Sequence, residues 1–358
     1  MKKLKVGILG ATGMVGQRFI QLLQKHPYFE VTCLAASSQS AGKRYADAVK
    51  WNLSERIPHK FENMRVADAA AEMRTIASEV DFCFCAVNMK KDDVRALEEA
   101  YAKLECPIVS NNSAHRAMAD VPMVIPEINP EHLEVIVAQR RRLKTERGFI
   151  AVKSNCSLQS YIPLLHPLKK YGIKRVAVTT YQAISGAGKT FSSFPEICDN
   201  LIPFIDGEEE KSELEPLKIW GKVESGAIVN ATSPIISAQC VRVPVSDGHT
   251  AACFVEFKKR PKKEQILKAW KKYSGEPQTL NLPSAPKQFI HYFEDDDRPQ
   301  PRLDMDLEGG MAISAGRLRE DSVFDYKFVG LSHNTVRGAA GGAVLLAELL
   351  FAKGYLNR

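Results

Sequence analysis

A chain of 358 residues, 45% hydrophobic and 25% charged, can bury a substantial core and has the length of about two domains. Its formal charge of +7 comes from Lys and Arg spread along the chain rather than gathered in one basic stripe, which argues against nucleic acid as a partner. No apolar run approaches the roughly 18 residues a membrane span needs, and Met1-Lys2-Lys3 leads straight into a strand-like run without a signal-peptide pattern, so a cytoplasmic location is expected.

In chain order, the β-rich run 4–9 is followed by a helical pattern over 14–25 and strand patterns over 31–36 and 80–87. A helix over 92–104 and a strand over 106–110 come next. Strands alternating with helices predict βαβ units and a parallel sheet. Between the first strand and the first helix stands Gly10-Ala11-Thr12-Gly13-Met14-Val15-Gly16. Glycines there permit a tight turn and let the backbone approach a pyrophosphate, while the helix N-terminus offers free N–H groups to the anion. The spacing departs from G-x-G-x-x-G, but its place in a βαβ unit predicts a dinucleotide site built on Gly10, Thr12, Gly13, Met14 and Val15. The second strand ends in Ser37-Ser38, where an NAD-preferring protein usually carries an acidic residue for the ribose 2′-hydroxyl. With Lys43 and Arg44 just beyond, the composition suits a 2′-phosphate, and NADP is the expected cofactor.

A helical pattern over 132–147 presents Arg140-Arg141-Arg142 as a solvated face. Ser154-Asn155-Cys156-Ser157 then follows the apolar run 149–152 and precedes a helical pattern over 158–171. A cysteine at a strand-to-helix turn meets unpaired N–H groups and the positive end of the helix, which are expected to lower its pKa and favour the thiolate. The other seven cysteines include no C-x-x-C pair and no cluster at metal-ligand spacing; they read as small buried hydrophobes, and no metal is expected. A thiolate in a nicotinamide-dependent oxidoreductase implies chemistry at an acyl carbon.

From about residue 174 the strands are bounded by Gly and Pro, at 175–184, 241–245 and 250–258, which predicts an α+β region with a largely antiparallel sheet. The last two flank Ser246-Asp247-Gly248 and read as a β-hairpin that would hold Arg242 near His249. A His just after a turn, beside an Arg in an otherwise apolar strand, fits an acid/base next to a carboxylate-binding guanidinium. Ser185-Gly186-Ala187-Gly188-Lys189 either supplies backbone N–H groups to an anion or is a tight loop. The Ala/Gly/Leu-rich helical pattern over 334–353 is apolar on most faces and is expected to pack back on the N-terminal domain. The fold class is therefore α/β: a Rossmann-type dinucleotide-binding domain (1–153 and 334–358) plus an α+β catalytic and dimerisation domain with a mainly antiparallel sheet (154–333).

These motifs, with Val-Ile-Pro-Glu-Ile-Asn-Pro at 124–130, Ser-Asn-Cys-Ser at 154–157 and His-Asn-Thr-Val-Arg-Gly-Ala-Ala-Gly-Gly at 333–342, cover essentially the whole chain. Together they resemble the aspartate-semialdehyde dehydrogenase family, closest to its archaeal and fungal branch. The resemblance implies Cys156 as acyl nucleophile, His249 as acid/base and Arg242 as the clamp on the substrate α-carboxylate. It further implies Asn155 and Gln182 as orienting amides, Arg116 and Lys211 as phosphate binders, and Asn334, with Ser185 and Gly186, near the nicotinamide. Glu209 is assigned to the substrate amine, with Glu208 and Glu210 as alternatives in the same acidic run. The family often carries Tyr where Lys189 follows the Gly-rich loop. The implied activity is NADP-dependent reductive dephosphorylation of L-4-aspartyl phosphate to the semialdehyde, in a homodimer or homotetramer, on the route to lysine, methionine and threonine. Malonyl-CoA reductase shares the domain plan and is the nearest alternative, N-acetyl-glutamyl-phosphate reductase a more distant one. A nucleotide-binding redox sensor using Cys156 as a switch is the non-enzymatic alternative.

Overall fold

A computed structural model describes residues 2–357. Seven short strands from the first half pair side by side: β1 (Leu4–Leu9), β2 (Phe29–Ala36), β3 (Val66–Asp68), β4 (Phe82–Cys85), β5 (Ile108–Ser110), β6 (Met123–Val124) and β7 (Ile150–Lys153). Their spatial order is β3-β2-β1-β4-β5-β7-β6, and every neighbouring pair is parallel. Strands covered by helices on both faces need apolar side chains in both directions; β4, Phe-Cys-Phe-Cys, is buried at all four positions. The Met14–Leu23 helix buries Phe19, Ile20 and Leu23, and Phe19 stacks on Phe84 at 4.4 Å between ring centres. The strand order reverses between β1 and β4, and in open parallel sheets ligands bind at such a switch, beyond the carboxyl ends of the strands.

The predicted C-terminal helix begins as a π-helical turn, Val336–Ala340, and continues as an α-helix, Gly341–Ala352. It is buried continuously from Gly341 to Leu350 and packs against β5 and β7, as a helix apolar all round must.

The second sheet contains β8 (Ile173–Gln182), β11 (Ile235–Arg242), β12 (His249–Phe257), β13 (Ile290–Phe293), β14 (Ile313–Glu320) and β15 (Tyr326–Ser332); the strands Lys222–Glu224 and Ala227–Val229, β9 and β10, form a separate small pair. Its order is β11-β8-β12-β15-β14-β13. The sheet is mixed: β8–β12, β12–β15 and β15–β14 are antiparallel, while both edge strands add in parallel.

Three local expectations are corrected. Arg242 and His249 do not face each other across a hairpin: β8 lies between β11 and β12, and the segment 243–248 crosses its end. Pro244 has no N–H to give a ladder, and two inter-strand gaps amount to about 10 Å, which six residues span easily. The helical pattern over 158–171 breaks into 3-10 turns at Ser157–Ser160 and His166–Tyr171 around a short helix, Ile162–Leu165, because Pro163 and Pro167 lack the donors a continuous helix requires. The pattern over 132–147 divides into a 3-10 turn, Pro130–Val135, and a helix, Ile136–Leu143, ended by Lys144 in the left-handed conformation. Among the described residues no helix is long and apolar enough to cross a membrane.

Candidate active site

The glycine turn lies at the switch between β1 and β4. Gly10 has φ +87°, and a Cβ there would stand 2.4 Å from the carbonyl oxygen of Ala86, which follows β4; a Cβ on Gly16 would stand 2.3 Å from the Gly10 carbonyl oxygen. Both glycines let backbone approach backbone. Gly13 differs, since its nearest neighbour would be 3.5 Å away, leaving space in front of the turn. Gly10, Thr12, Gly13, Ser37 and Ser38 line a cleft of about 710 Å³ together with Ala86 to Met89, room enough for a nucleotide. Met14 lines a smaller neighbouring cleft with Ser185 and Lys189. The Val15 side chain is partly buried against the apolar core. Of the two basic residues beyond β2, Arg44 is turned away onto Asp47 at 2.8 and 3.0 Å, and Lys43 does not line the large cleft. Lys189 lies over the Phe194 ring at 3.9 Å.

Cys156 directly follows β7 on a two-residue link, and its Sγ stands 3.4 Å from Nε2 of His249, the first residue of β12. The His249 ring is fully buried. The backbone N–H of Ala183 donates to its Nδ1 at 3.0 Å. Because that group can only donate, Nδ1 accepts, and the neutral ring carries its proton on Nε2, facing the sulfur. Burial, with Arg242, His333 and Lys153 nearby, holds the imidazole well below the ordinary histidine pKa. The expected depression of the Cys156 pKa is not what the surroundings give. Burial pushes the thiol up and Glu208 adds to that, against the opposing pull of Lys153, Arg116 and Arg242. The helix that was to stabilise the thiolate is only a four-residue 3-10 turn, too short for an appreciable dipole.

The register of the second sheet gathers the remaining groups. Arg242 ends β11 opposite Gln182, the last residue of β8, and His249 lies one residue beyond the Thr250–Tyr181 pair. Gln182 therefore sits between Arg242 and His249. Arg242 donates from Nη1 to the Ala183 carbonyl at 2.7 Å, and a Cβ on Gly186 would stand 3.1 Å from both that Nη1 and the His249 ring. Asn334 donates to Ser185 Oγ at 2.8 Å and accepts from Gly248 N–H at 2.8 Å, tying the C-terminal motif to the loops that hold His249.

Glu208, not Glu209, faces this centre. Glu208 accepts from Asn155 Nδ2 at 2.9 and 3.0 Å and from Gln182 Nε2 at 3.2 Å, and pairs with Lys211 at 2.9 Å. Burial alone would raise its pKa, but Lys211 and the two amides hold it below the ordinary value, so it is a carboxylate. Glu209 instead accepts from the Gln239 side chain and the Cys240 N–H, at the free edge of β11. The Glu208–Ile219 helix explains the division: positions 208, 211 and 215 share one face, while 209 and 213 share another, and Glu213 likewise accepts from a β11 N–H, that of Ala238. Glu215 was not anticipated. It accepts from Asn155 N–H at 2.7 Å and pairs with Arg116 at 2.9 Å, linking a predicted phosphate binder to the nucleophile loop; its i+7 spacing from Glu208 was the available signal. Arg337 was also missed as a support: it donates to both Glu127 oxygens and to Gln159, which donates to Ser154 Oγ.

Residues 5–136 match the family model described as semialdehyde dehydrogenase, NAD binding domain, and residues 165–337 that described as semialdehyde dehydrogenase, dimerisation domain. An aspartate-semialdehyde dehydrogenase of Methanothermobacter thermautotrophicus is 46% identical over 348 residues, 96% of this chain and 98% of that one. The Saccharomyces cerevisiae enzyme of the same name is 44% identical over 362 residues, covering 97% of each. A crystal structure of the Candida albicans aspartate semialdehyde dehydrogenase with NADP superposes with a TM-score of 0.88 at 42% identity, over 99% of this chain and 100% of that one. With likeness of this degree along nearly its whole length, the chain belongs to the aspartate-semialdehyde dehydrogenase family.

Proposed function

We propose that this chain catalyses the NADP-dependent reductive dephosphorylation of L-4-aspartyl phosphate to L-aspartate 4-semialdehyde and phosphate, through a thioester on Cys156, in the biosynthesis of lysine, methionine and threonine. The observation that carries this reading is the 3.4 Å contact of Cys156 Sγ with a His249 whose proton faces it, set among a buried guanidinium, a buried carboxylate and two amides. As its thiolate, Cys156 attacks the acyl carbon; the carbon–oxygen bond to phosphate breaks, and phosphate, with the bridging oxygen, leaves toward Arg116 and Lys211. The His249 Nε2–H donates to the carbonyl oxygen as negative charge gathers there. A dinucleotide held at Gly10, Thr12 and Gly13 would supply the hydride for the acyl carbon, the Cys156 thiolate leaving as the aldehyde forms.

Substrate class follows from charge. Arg242 offers a planar fork to a carboxylate, and an ionised Glu208 offers a partner for an α-ammonium. A CoA thioester brings no such amine, which disfavours the malonyl-CoA alternative. The match of residues 165–337 to a dimerisation domain supports assembly as a homodimer or homotetramer through the second sheet. The deciding experiment compares phosphate-dependent NADP reduction by aspartate semialdehyde with malonyl-CoA-dependent NADPH oxidation. Turnover only in the second assay overturns the proposed substrate; turnover in neither favours the redox sensor.

A further inference from the structure

Lys218 lies near the end of the Glu208–Ile219 helix and is 4% exposed. It shares the inward face of that helix with Glu208, Lys211 and Glu215, yet unlike those three it makes no ion pair among the described residues. Its Nζ donates instead to three main-chain carbonyls, those of Arg116, Met118 and Val121, at 2.7, 2.5 and 2.9 Å. An ammonium has three N–H donors, so every one is used. Burial draws Lys218 down to about 8, against the opposing pull of Asp120 and Glu215, which leaves it charged at neutral pH. The three carbonyls belong to the segment between β5 and β6. Among the described residues, those of Arg116 and Val121 accept no other hydrogen bond, and Val121 is fully buried, where a carbonyl needs a donor.

One helix thus holds residue 116 twice. Lys218 takes its backbone carbonyl, and Glu215, one turn earlier, pairs with its guanidinium at 2.9 Å. The other tie of that guanidinium, from Nη2 to the Asn111 carbonyl at 2.9 Å, lies within the same segment. Lys211, the second cation expected to meet phosphate, stands one further turn back on the same face. Resting on the reading of Arg116 and Lys211 as phosphate binders, we propose that Lys218 is a positioning residue of the phosphate subsite: its buried ammonium gathers the Arg116, Met118 and Val121 carbonyls and so sets the Arg116 guanidinium relative to Lys211. An apolar side chain of similar length would leave those carbonyls facing it without donors, a costly arrangement. The segment would then shift toward other donors and carry Arg116 with it. The glycine turn and the strands bearing Arg242 and His249 are separate elements, so the cofactor and the carboxylate clamp should keep their places.

The test is steady-state kinetics in the phosphate-dependent direction, with KM read separately for phosphate, aspartate semialdehyde and NADP. In Lys218→Met the phosphate KM should rise about tenfold, while the NADP KM stays within about twofold of the parent value. Lys218→Gln, whose amide keeps two donors, should lie between them, and it decides by the same comparison should Lys218→Met not fold. Arg116→Ala supplies the reference: adding Lys218→Met to it should raise the phosphate KM no further, because the lysine acts through the arginine. An unchanged phosphate KM in the Lys218 variants, an equal rise in the KM of phosphate and NADP, or effects that add in the double variant, overturns the proposal. A parental phosphate KM in Arg116→Ala would instead defeat the reading of Arg116, whatever Lys218 does.

Discussion

The backbone N–H of Ala183 and the sulfur of Cys156 bracket the His249 ring, one at Nδ1 and the other at Nε2, 3.0 and 3.4 Å away. This fixes His249 as a donor toward the reacting centre. Removing that donor in His249→Ala should lower kcat by about 10²–10⁴ with the NADP Kd unchanged, as read by steady-state kinetics and fluorescence titration. A loss below tenfold would remove the imidazole from the chemistry. Cys156→Ala should abolish turnover and keep NADP binding.

Glu208 and Glu209 provide a paired test of the site against the neighbouring edge of β11. Glu208→Gln keeps the shape but removes the charge facing Asn155, Gln182 and Lys211; KM for the amino-acid substrate should rise about tenfold or more. Glu209→Gln should leave kcat/KM within twofold and alter only thermal stability, by about 1 kcal/mol. The reverse ranking would put the amine partner elsewhere in the acidic run.

Arg242→Lys keeps the charge but gives up the fork, and with it the bond to the Ala183 carbonyl in its present geometry. Since Ala183 also seats His249, substrate and donor should both be misaligned. We expect KM to rise and kcat to fall, with kcat/KM down on the order of a hundredfold. Kinetics equal to those of the parent enzyme would eliminate the clamp and restore the malonyl-CoA alternative.

The glycine turn separates folding from cofactor binding. Gly16→Ala meets the Gly10 carbonyl at 2.3 Å and should destabilise the domain by about 1–3 kcal/mol. Gly13→Ala meets nothing closer than 3.5 Å; it should fold normally yet weaken NADP binding about tenfold, because the added methyl enters the space before the turn. Ser38→Asp should shift preference from NADP toward NAD through repulsion of the 2′-phosphate. Unaltered cofactor Kd values in both variants would place the dinucleotide in another cleft.

Burial, with Lys169 nearby, lowers His166 to about 4, from about 6.5 in an unfolded chain. The unfolded state then binds more protons, so the stability held by the neutral ring is fully present above pH 6.5 and is lost as pH falls toward 4. The loss should be on the order of 3 kcal/mol. Calorimetry at pH 7 and pH 4.5 should show a smaller drop in Tm for His166→Leu than for the parent; equal drops would mean that the acid sensitivity lies elsewhere.

The parallel sheet, the glycine turn and the buried terminal helix were legible because each is written locally. A fully apolar four-residue strand, a glycine forced to positive φ and a helix with no polar face admit few other readings. The nucleophile was legible for the same reason, as a polar tetrapeptide after an apolar run. Its expected acidity was not realised: a proline-broken segment gives a short 3-10 turn in place of a helix, and burial of the thiol is a property of the whole site.

The sequence alone determined which chemical groups the chain carries and the local patterns that order them: a cysteine after a strand, a histidine after a turn, an arginine in an apolar run and an acidic stretch opening a helix. Only the tertiary structure decided which of them meet. Strand β8 enters between β11 and β12, so Arg242 and His249 converge across Gln182 instead of within a hairpin. Helix docking turns Glu208 inward and Glu209 onto β11. Strand order and helix rotation are fixed by pairing and burial between segments far apart in the chain, and a local pattern of residues carries no record of the partner it will meet.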